Sequence, residues 1–450
     1  MSKKVLVITY HYPPDLSVGA IRPSKFAKYL GKHGWSPMVL TVLERYHSNF
    51  GRPTENRSKD LKIYKTAKIP HFRDMYLSLK RIYLKTHKKK DLNQSIQAWR
   101  PEERTKFEPI FTKIKRYFNS LFVWLPDDKT GWILPATIAG TLLIKKHKID
   151  AILTTSPPNS VHLIGLVLKI ITRRTWIVDF RDPWDVEQKP FFVRSTLSDT
   201  IERWLCQKVI ENSDRVISVT PEMTRMFEQH YQDISKEKFH TIWNGYDPEE
   251  LERHSHVEKY DKFTITYAGT FYLDRNPELL LQSLSDLIRE GRIDRQNVQV
   301  RFFGNCRYTH GESVEEVVVN LNLRDQVIIS DPIPHTEILQ EIAKSHVLLL
   351  LAPGQPLQIP AKVFEYIGLK SSIIAICGEG ATTNLLKGYP RAIVVSPGNI
   401  TEMKKALMAL FEKRDKIDME NSSFFPLHKF EHWNLAKEMA DLLNGSIRKR

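Results

Sequence analysis

Cysteine is scarce in this sequence, and long apolar runs are missing from it. Cys206, Cys306 and Cys377 are the only cysteines in 450 residues, and none stands in a CxxC pair. That excludes a disulfide scaffold and a zinc ribbon, and free thiols fit a reducing cytosol. No window reaches ~18 uninterrupted apolar residues, so no membrane span is expected. The leading apolar run stops at Tyr10-His11-Tyr12-Pro13-Pro14, too early for a secretory signal. Walker A, HExxH, GxSxG, a strict GxGxxG and an Asp-x-Asp pair are all absent. P-loop phosphoryl transfer is thereby removed, and neither a metal nor a cofactor is expected. Phosphate, if bound, must rest on looser glycine loops and helix starts.

Positive charge, in contrast, is plentiful. Lys and Arg number 67 against 52 Asp and Glu, a net +15, with pI near 9.4. Such a balance favours an anionic partner. It is not spread evenly. Residues 51–130 carry 20 Lys and Arg against 9 Asp and Glu, a net of +11. Two stripes of helical spacing run through them, Tyr76-Leu79-Ile82-Tyr83 and Phe107-Ile110-Phe111-Ile114-Phe118-Leu121-Phe122, with Lys and Arg around them. Basic amphipathic helices of this kind suit an anionic membrane surface better than nucleic acid, for which no recognition motif is present. Helices packed on the neighbouring domain with solvated charges outside would show the same pattern.

Around that insertion, at about 46–125, the chain alternates strands and helices. Val5–Thr9 reads as a strand buried on both faces, Ala20–His33 as a helix ended by Gly34, and Trp35–Val42 as a second strand. The pattern resumes with Ile149–Thr155, Trp176–Phe180 and Asp214–Val219. After a polar stretch at 248–262 a second series starts at Phe263–Ala268 and runs through Val298–Phe303, Gln326–Ile329, Val347–Leu351, Ile373–Ile376 and Ala392–Val395. The fold class is therefore α/β, with two Rossmann-like halves of parallel sheet. They span residues 1–248 and 263–425, and a C-terminal helix at 426–450 is expected to pack back on the first.

Candidate chemistry gathers in the strand-to-helix loops, where doubly wound folds bind ligands. Gly19 opens the first helix, whose free N–H groups suit an anion. Gly269-Thr270 holds the equivalent place in the second half, with Arg275 a few residues on. Lys362 and Glu365 share one face of a helix introduced by Pro360. They could meet phosphate and ribose hydroxyls, or form a plain surface ion pair. His162 is a catalytic or acceptor-orienting imidazole, or a structural hydrogen-bonding one. Asp182 sits in the turn after a strand and meets a ligand, or pairs with Arg181 to pin the loop. His240, His335 and His346 show no partner pattern and are read as structural.

Taken together these segments resemble the family 4 glycosyltransferases, retaining enzymes of the two-domain GT-B fold. The resemblance rests on Thr9-Tyr10-His11-Tyr12-Pro13-Pro14 with Gly19 and Arg22-Pro23-Ser24-Lys25-Phe26-Ala27, and on Thr155-Ser156-Pro157-Pro158 with His162. It continues in Asp179-Phe180-Arg181-Asp182-Pro183-Trp184, Asp214–Thr220, Asn244-Gly245-Tyr246-Asp247, Tyr267-Ala268-Gly269-Thr270 and Pro360-Ala361-Lys362-Val363-Phe364-Glu365-Tyr366. It spans nearly the whole chain except the basic insertion, and enzymes building bacterial surface polysaccharide and lipopolysaccharide are the nearest in type.

The resemblance implies two facing domains and a nucleotide-sugar donor as substrate. It places Gly19 against the donor diphosphate, Arg275 as its counter-charge, Glu365 on the ribose and Asn244-Gly245 at the hinge. Tyr10, His11 and Arg22 would meet a lipid-linked or oligosaccharide acceptor. Many members carry Arg where this chain has Thr270, and Glu where it has Leu357, which marks a variant donor site. The implied activity is metal-independent, retaining sugar transfer in the cytoplasm, peripheral on the inner face of the membrane. A nucleotide-sugar epimerase of the same fold, or a non-catalytic nucleotide-sugar-binding subunit, is the alternative.

Overall fold

The computed structural model describes residues 2–47, 61–70, 125–184, 196–254, 256–272, 274–309, 311–413 and 425–447. They form two compact units. One comprises Met1–Trp243 with Leu435–Arg450, the other Asn244–Asn434.

The first unit is a seven-stranded sheet of β1 (Lys3–Ile8), β2 (Trp35–Val42), β3 (Lys62–Thr66), β4 (Ala151–Ser156), β5 (Thr175–Phe180), β6 (Arg215–Ser218) and β7 (Phe239–Thr241). Its order is β3-β2-β1-β4-β5-β6-β7, and every neighbouring pair is parallel. β4 and β5 are buried along their whole length. Strands buried on both faces are what a sheet covered by helices on both sides demands. The helix His432–Ser446 places Leu435, Ala436, Met439, Ala440 and Leu443 in one cluster with Val5, Val7, Tyr12, Phe26 and Trp35.

The second unit holds a six-stranded parallel sheet. Its strands are β8 (Phe263–Ala268), β9 (Val298–Phe303), β12 (Val327–Ser330), β13 (Val347–Ala352), β14 (Ser372–Cys377) and β15 (Ala392–Val395), ordered β12-β9-β8-β13-β14-β15. Between β9 and β12 lies a two-stranded hairpin of β10 (Tyr308–Thr309) and β11 (Glu312–Ser313). In each large sheet the strand order reverses at one point, between β1 and β4 in the first and between β8 and β13 in the second. Loops leaving the carboxyl ends of those strands diverge and leave a crevice.

The structure departs from the sequence reading in two places. Residues 62–66 were expected inside a helical insertion, yet they form β3, which pairs with β2 as a parallel edge strand. Its residues are half-exposed and two are lysines, as an edge that must stay in water requires. Phe239–Thr241 adds an edge strand at the other side. The two amphipathic stripes, from Tyr76 and from Phe107, lie outside the described residues.

Packing fixes one glycine in the first core. A Cβ at Gly165, on the helix Ser160–Thr172, would lie 2.4 Å from Trp176 Nε1 and 2.7 Å from Thr154 Cγ2. At Gly31 nothing would lie within 4 Å. Gly165→Ala is therefore expected to destabilise the protein by roughly 1–3 kcal/mol through overpacking, whereas Gly31→Ala stays within about 0.5 kcal/mol. Urea unfolding followed by tryptophan fluorescence measures both, and equal midpoints for the two variants would contradict the packing described.

Candidate functional site

In the first unit, the crevice between β1 and β4 is bordered by Gly19 and by Ser156-Pro157. Arg181, at the end of β5, ties the two together. Its guanidinium donates to the carbonyls of Ser156, of Gly19 at 2.6 Å and of Pro157 at 3.0 Å. Arg181 is thus a loop pin, satisfied by backbone oxygens. Asp182, next to it, is partly exposed at the mouth of the turn, and its charge acts on Arg181.

Three residues expected at the acceptor or the chemistry are committed elsewhere. Arg22 is only 4% exposed and grips Asp179, which is fully buried, through Nε and Nη2 at 2.8–3.2 Å. It also donates to the carbonyls of Ile242 and Trp243. Burial would raise Asp179, but Arg22 outweighs it and holds the carboxyl below its usual range. Arg22 therefore closes the core beneath the crevice instead of facing an acceptor. His162 is completely buried, hydrogen-bonded through Nδ1 to Thr154 Oγ1 at 2.9 Å and packed 4.5 Å from the Phe180 ring. Burial pushes it down to about 3, which leaves it neutral. Tyr10 is buried with its ring edge-on to His11, His47 and Trp132.

His11 turns its Nδ1 to Asp15 Oδ2 at 2.6 Å, and His47 Nδ1 approaches the same oxygen at 3.1 Å. Burial alone would raise Asp15. The two imidazoles and the Ser17 N–H outweigh it and keep the carboxylate well below its ordinary range.

The second unit brings the remaining candidates together in the crevice between β8 and β13. Lys362 opens the short helix Lys362–Gly368. Its Nζ donates to Ala268 O at 2.6 Å and lies 4.0 Å from the centroid of the Tyr267 ring. A Cβ at Gly269 would stand 2.6 Å from that nitrogen and 3.0 Å from Tyr267 Oη, and the backbone φ of +157° there is one that residues with side chains rarely adopt. Burial, reinforced by the nearby charge of Arg275, pushes Lys362 down to about 7, while Glu365 pulls weakly the other way. Arg275 lies over the Tyr272 ring at 4.6 Å and donates to Gln355 Oε1 at 2.7 Å. Both cations thus spend their hydrogen bonds on neutral oxygens. Thr270 is exposed at the rim, and its carbonyl accepts from Tyr267 Oη at 3.1 Å.

Glu365, on the same helix, is bonded at 2.8 Å through Oε1 to Nε2 of His335. His335 was read as merely structural. It begins the helix His335–Lys344, thirty positions upstream of Glu365, and no local spacing joins the two. Gln355, Tyr267 and Tyr272 were likewise missed, since nothing in their neighbourhoods marks them apart from the fold.

Two parallel-sheet α/β units, each with its crevice at a strand-order reversal, constitute the GT-B architecture. Comparison with solved structures agrees. The chain is similar to a glycosyltransferase from Rickettsia africae (12% identity, all of both chains covered, TM-score 0.64). It is also similar to a sucrose-phosphate synthase from Thermosynechococcus elongatus (14%, 98% of each chain, TM-score 0.62) and to HepE of Anabaena, solved with UDP-glucose (13%, 98% of this chain and 99% of that one, TM-score 0.58). The family described as Glycosyltransferase Family 4 matches residues 100–250, about a third of the chain. No curated protein matches in sequence. Among the described residues, no helix is long and apolar enough to cross a membrane.

The placement of Lys362 makes its titration a direct check. Its ε-amine is expected to titrate near pH 7 in the ligand-free protein and, once the neighbouring charge is removed in Arg275→Ala, to titrate higher. NMR of lysines labelled at Cε reads both. A single lysine population titrating near the ordinary 10.4 would show that the amine is not buried.

Proposed function

We infer that the protein is a glycosyltransferase that moves a sugar from a nucleotide-sugar donor to a saccharide acceptor with retention at the anomeric carbon. The observation that carries this reading is the convergence of Arg275, Lys362 and Glu365 at the reversal point of the second sheet. Cleaving a sugar–nucleotide bond leaves a diphosphate that gathers negative charge while the sugar becomes oxocarbenium-like. Fixed cations aimed at the leaving oxygens stabilise that state, and they act most strongly where water is excluded. Arg275 and Lys362 are such cations, and among the described residues neither is hydrogen-bonded to a carboxylate. Glu365 would accept the two ribose hydroxyls, with His335 holding its second oxygen in place. Gly269 admits the diphosphate close to the backbone.

In the first unit, Asp182 belongs to the acceptor side of this reading, and the Gly19 loop to the donor diphosphate. The acceptor hydroxyl attacks from the face the diphosphate leaves, and the departing phosphate takes its proton. The type of pathway suggested by the sequence, assembly of cell-surface polysaccharide on a lipid-linked saccharide, and the docking of residues 51–130 on an anionic cytoplasmic membrane surface belong to the same proposal. Thr270 and Leu357 are read as features of a variant donor site.

Donor binding should depend on pH with a definite sign. An anion beside Lys362 favours its ammonium, so binding takes up a proton wherever the free site has lost one. Affinity for a nucleotide-sugar, whose diphosphate does not titrate in this range, should weaken as pH rises from 7 to 9, by up to about tenfold per unit. Lys362→Met should flatten that slope, and Arg275→Ala and Glu365→Ala should each weaken binding at least about tenfold. Calorimetry with a panel of nucleotide-sugars measures the affinities, and incubation with a polyprenyl-linked saccharide pool measures transfer. Absence of binding by every common donor would refute the reading.

A further inference from the structure

We propose that His11, Asp15 and His47 form a binding site for a single zinc ion in the first unit. It is separate from the donor site inferred above, and no sequence motif announces it. One ligand atom from each of the three residues lies within 4.8 Å of the other two, the only such grouping among the described residues. Two imidazole nitrogens and one carboxylate oxygen are an ordinary zinc donor set, which leaves a fourth position for water.

Three observations separate this cluster from a hydrogen-bonded pin. The side chains of Asp15 and His47 are 2% and 1% exposed. His47 Nδ1 lies 3.1 Å from Asp15 Oδ2 and has no other polar partner among the described residues. The surroundings are also arranged as an outer shell. The Ser17 N–H holds Asp15 Oδ1 at 3.0 Å and aims the other oxygen at the imidazoles. Ser17 Oγ lies 3.2 Å from His11 Nδ1. The Tyr10 ring stands edge-on to both imidazoles, at 5.3 and 5.9 Å between centroids. Groups that orient ligands and exclude solvent in this way are what metal sites use to fix their geometry.

Occupation requires little movement. Two ligands at about 2.0–2.1 Å from zinc on a tetrahedron are ~3.3 Å apart. His11 Nδ1 and Asp15 Oδ2, now 2.6 Å apart, would separate by well under 1 Å, and the His47 contact is already close to that span. Coordination through Nδ1 needs the Nε2–H tautomer. Any proton on His11 Nδ1 leaves that nitrogen when the ion binds. The ion would fasten the start of the β1 loop, which runs on to Gly19, to His47 beyond β2.

Untagged full-length protein, freed of metal with a chelator, is titrated with zinc against a chromogenic competitor and separately with cobalt. We expect one equivalent bound with a dissociation constant below about 1 µM. Cobalt should give a visible spectrum typical of four-coordinate nitrogen and oxygen ligands, without the intense near-ultraviolet band of a thiolate. His47→Gln and Asp15→Asn, each checked for an unchanged far-ultraviolet spectrum and thermal unfolding, should weaken zinc about 100-fold or more. Three results would overturn the proposal: no stoichiometric binding by the native protein, a thiolate band implicating Cys206, Cys306 or Cys377, or several weak equivalents left unchanged by both substitutions. None of these readouts depends on sugar transfer, so the zinc site and the donor site stand or fall separately.

Discussion

The ammonium of Lys362 is the constraint around which the second unit is arranged. It is half-buried at the end of β8, beside a glycine and against an aromatic face, with a second cation near enough to depress its ionisation. Two like charges in a crevice of low dielectric repel, and a protein built only for stability would pair them with carboxylates or remove one. The first unit shows what that solution looks like. Arg22 has Asp179 on two of its nitrogens and backbone carbonyls on the rest. Arg22 is matched charge for charge and so contributes to the core, whereas Arg275 and Lys362 are left with charge to spare, which an anionic ligand would neutralise.

Much of the fold was legible in the residues because buried parallel strands write themselves as unbroken apolar runs. Val5–Ile8 and Val347–Leu351 are such runs, short, rich in branched residues and bounded by polar or loop residues. The reversals of strand order then place the loops at Gly19 and Gly269 without further information. Legibility ended where the pattern became polar. Lys62–Thr66 alternates charge with bulk and looks like part of a basic insertion, yet such a segment is well suited to an exposed edge.

The site was half legible for a related reason. Lys362 and Glu365 lie on one short helix, so their spacing carries the message. His335 reaches Glu365 only through the packing of another helix, and Gln355 reaches Arg275 only through a loop. Sequence order also cannot distinguish a charged side chain that faces a crevice from one that lies beneath it. Arg22 and His162 sit in segments that border the crevice and point into the core. Their burial, not their position along the chain, decides their role.

Gly19 and Gly269 occupy the same topological place in the two sheets, and the reasons for glycine differ. At Gly269 the backbone φ of +157° favours glycine, and an added Cβ would also crowd the Lys362 ammonium at 2.6 Å and Tyr267 Oη at 3.0 Å. At Gly19 the same atom would crowd the His11 ring at 3.3 Å, a contact a small shift could relieve, while the Gly19 carbonyl is fixed by Arg181. The first glycine therefore fits its loop around an imidazole already held by Asp15. Close approach of a diphosphate would be a second demand on the same position. A larger residue there would push first on His11, and through it on Asp15 and His47, before it met any ligand. Gly19 thus couples the crevice to the histidine cluster, and its substitution would be felt in both.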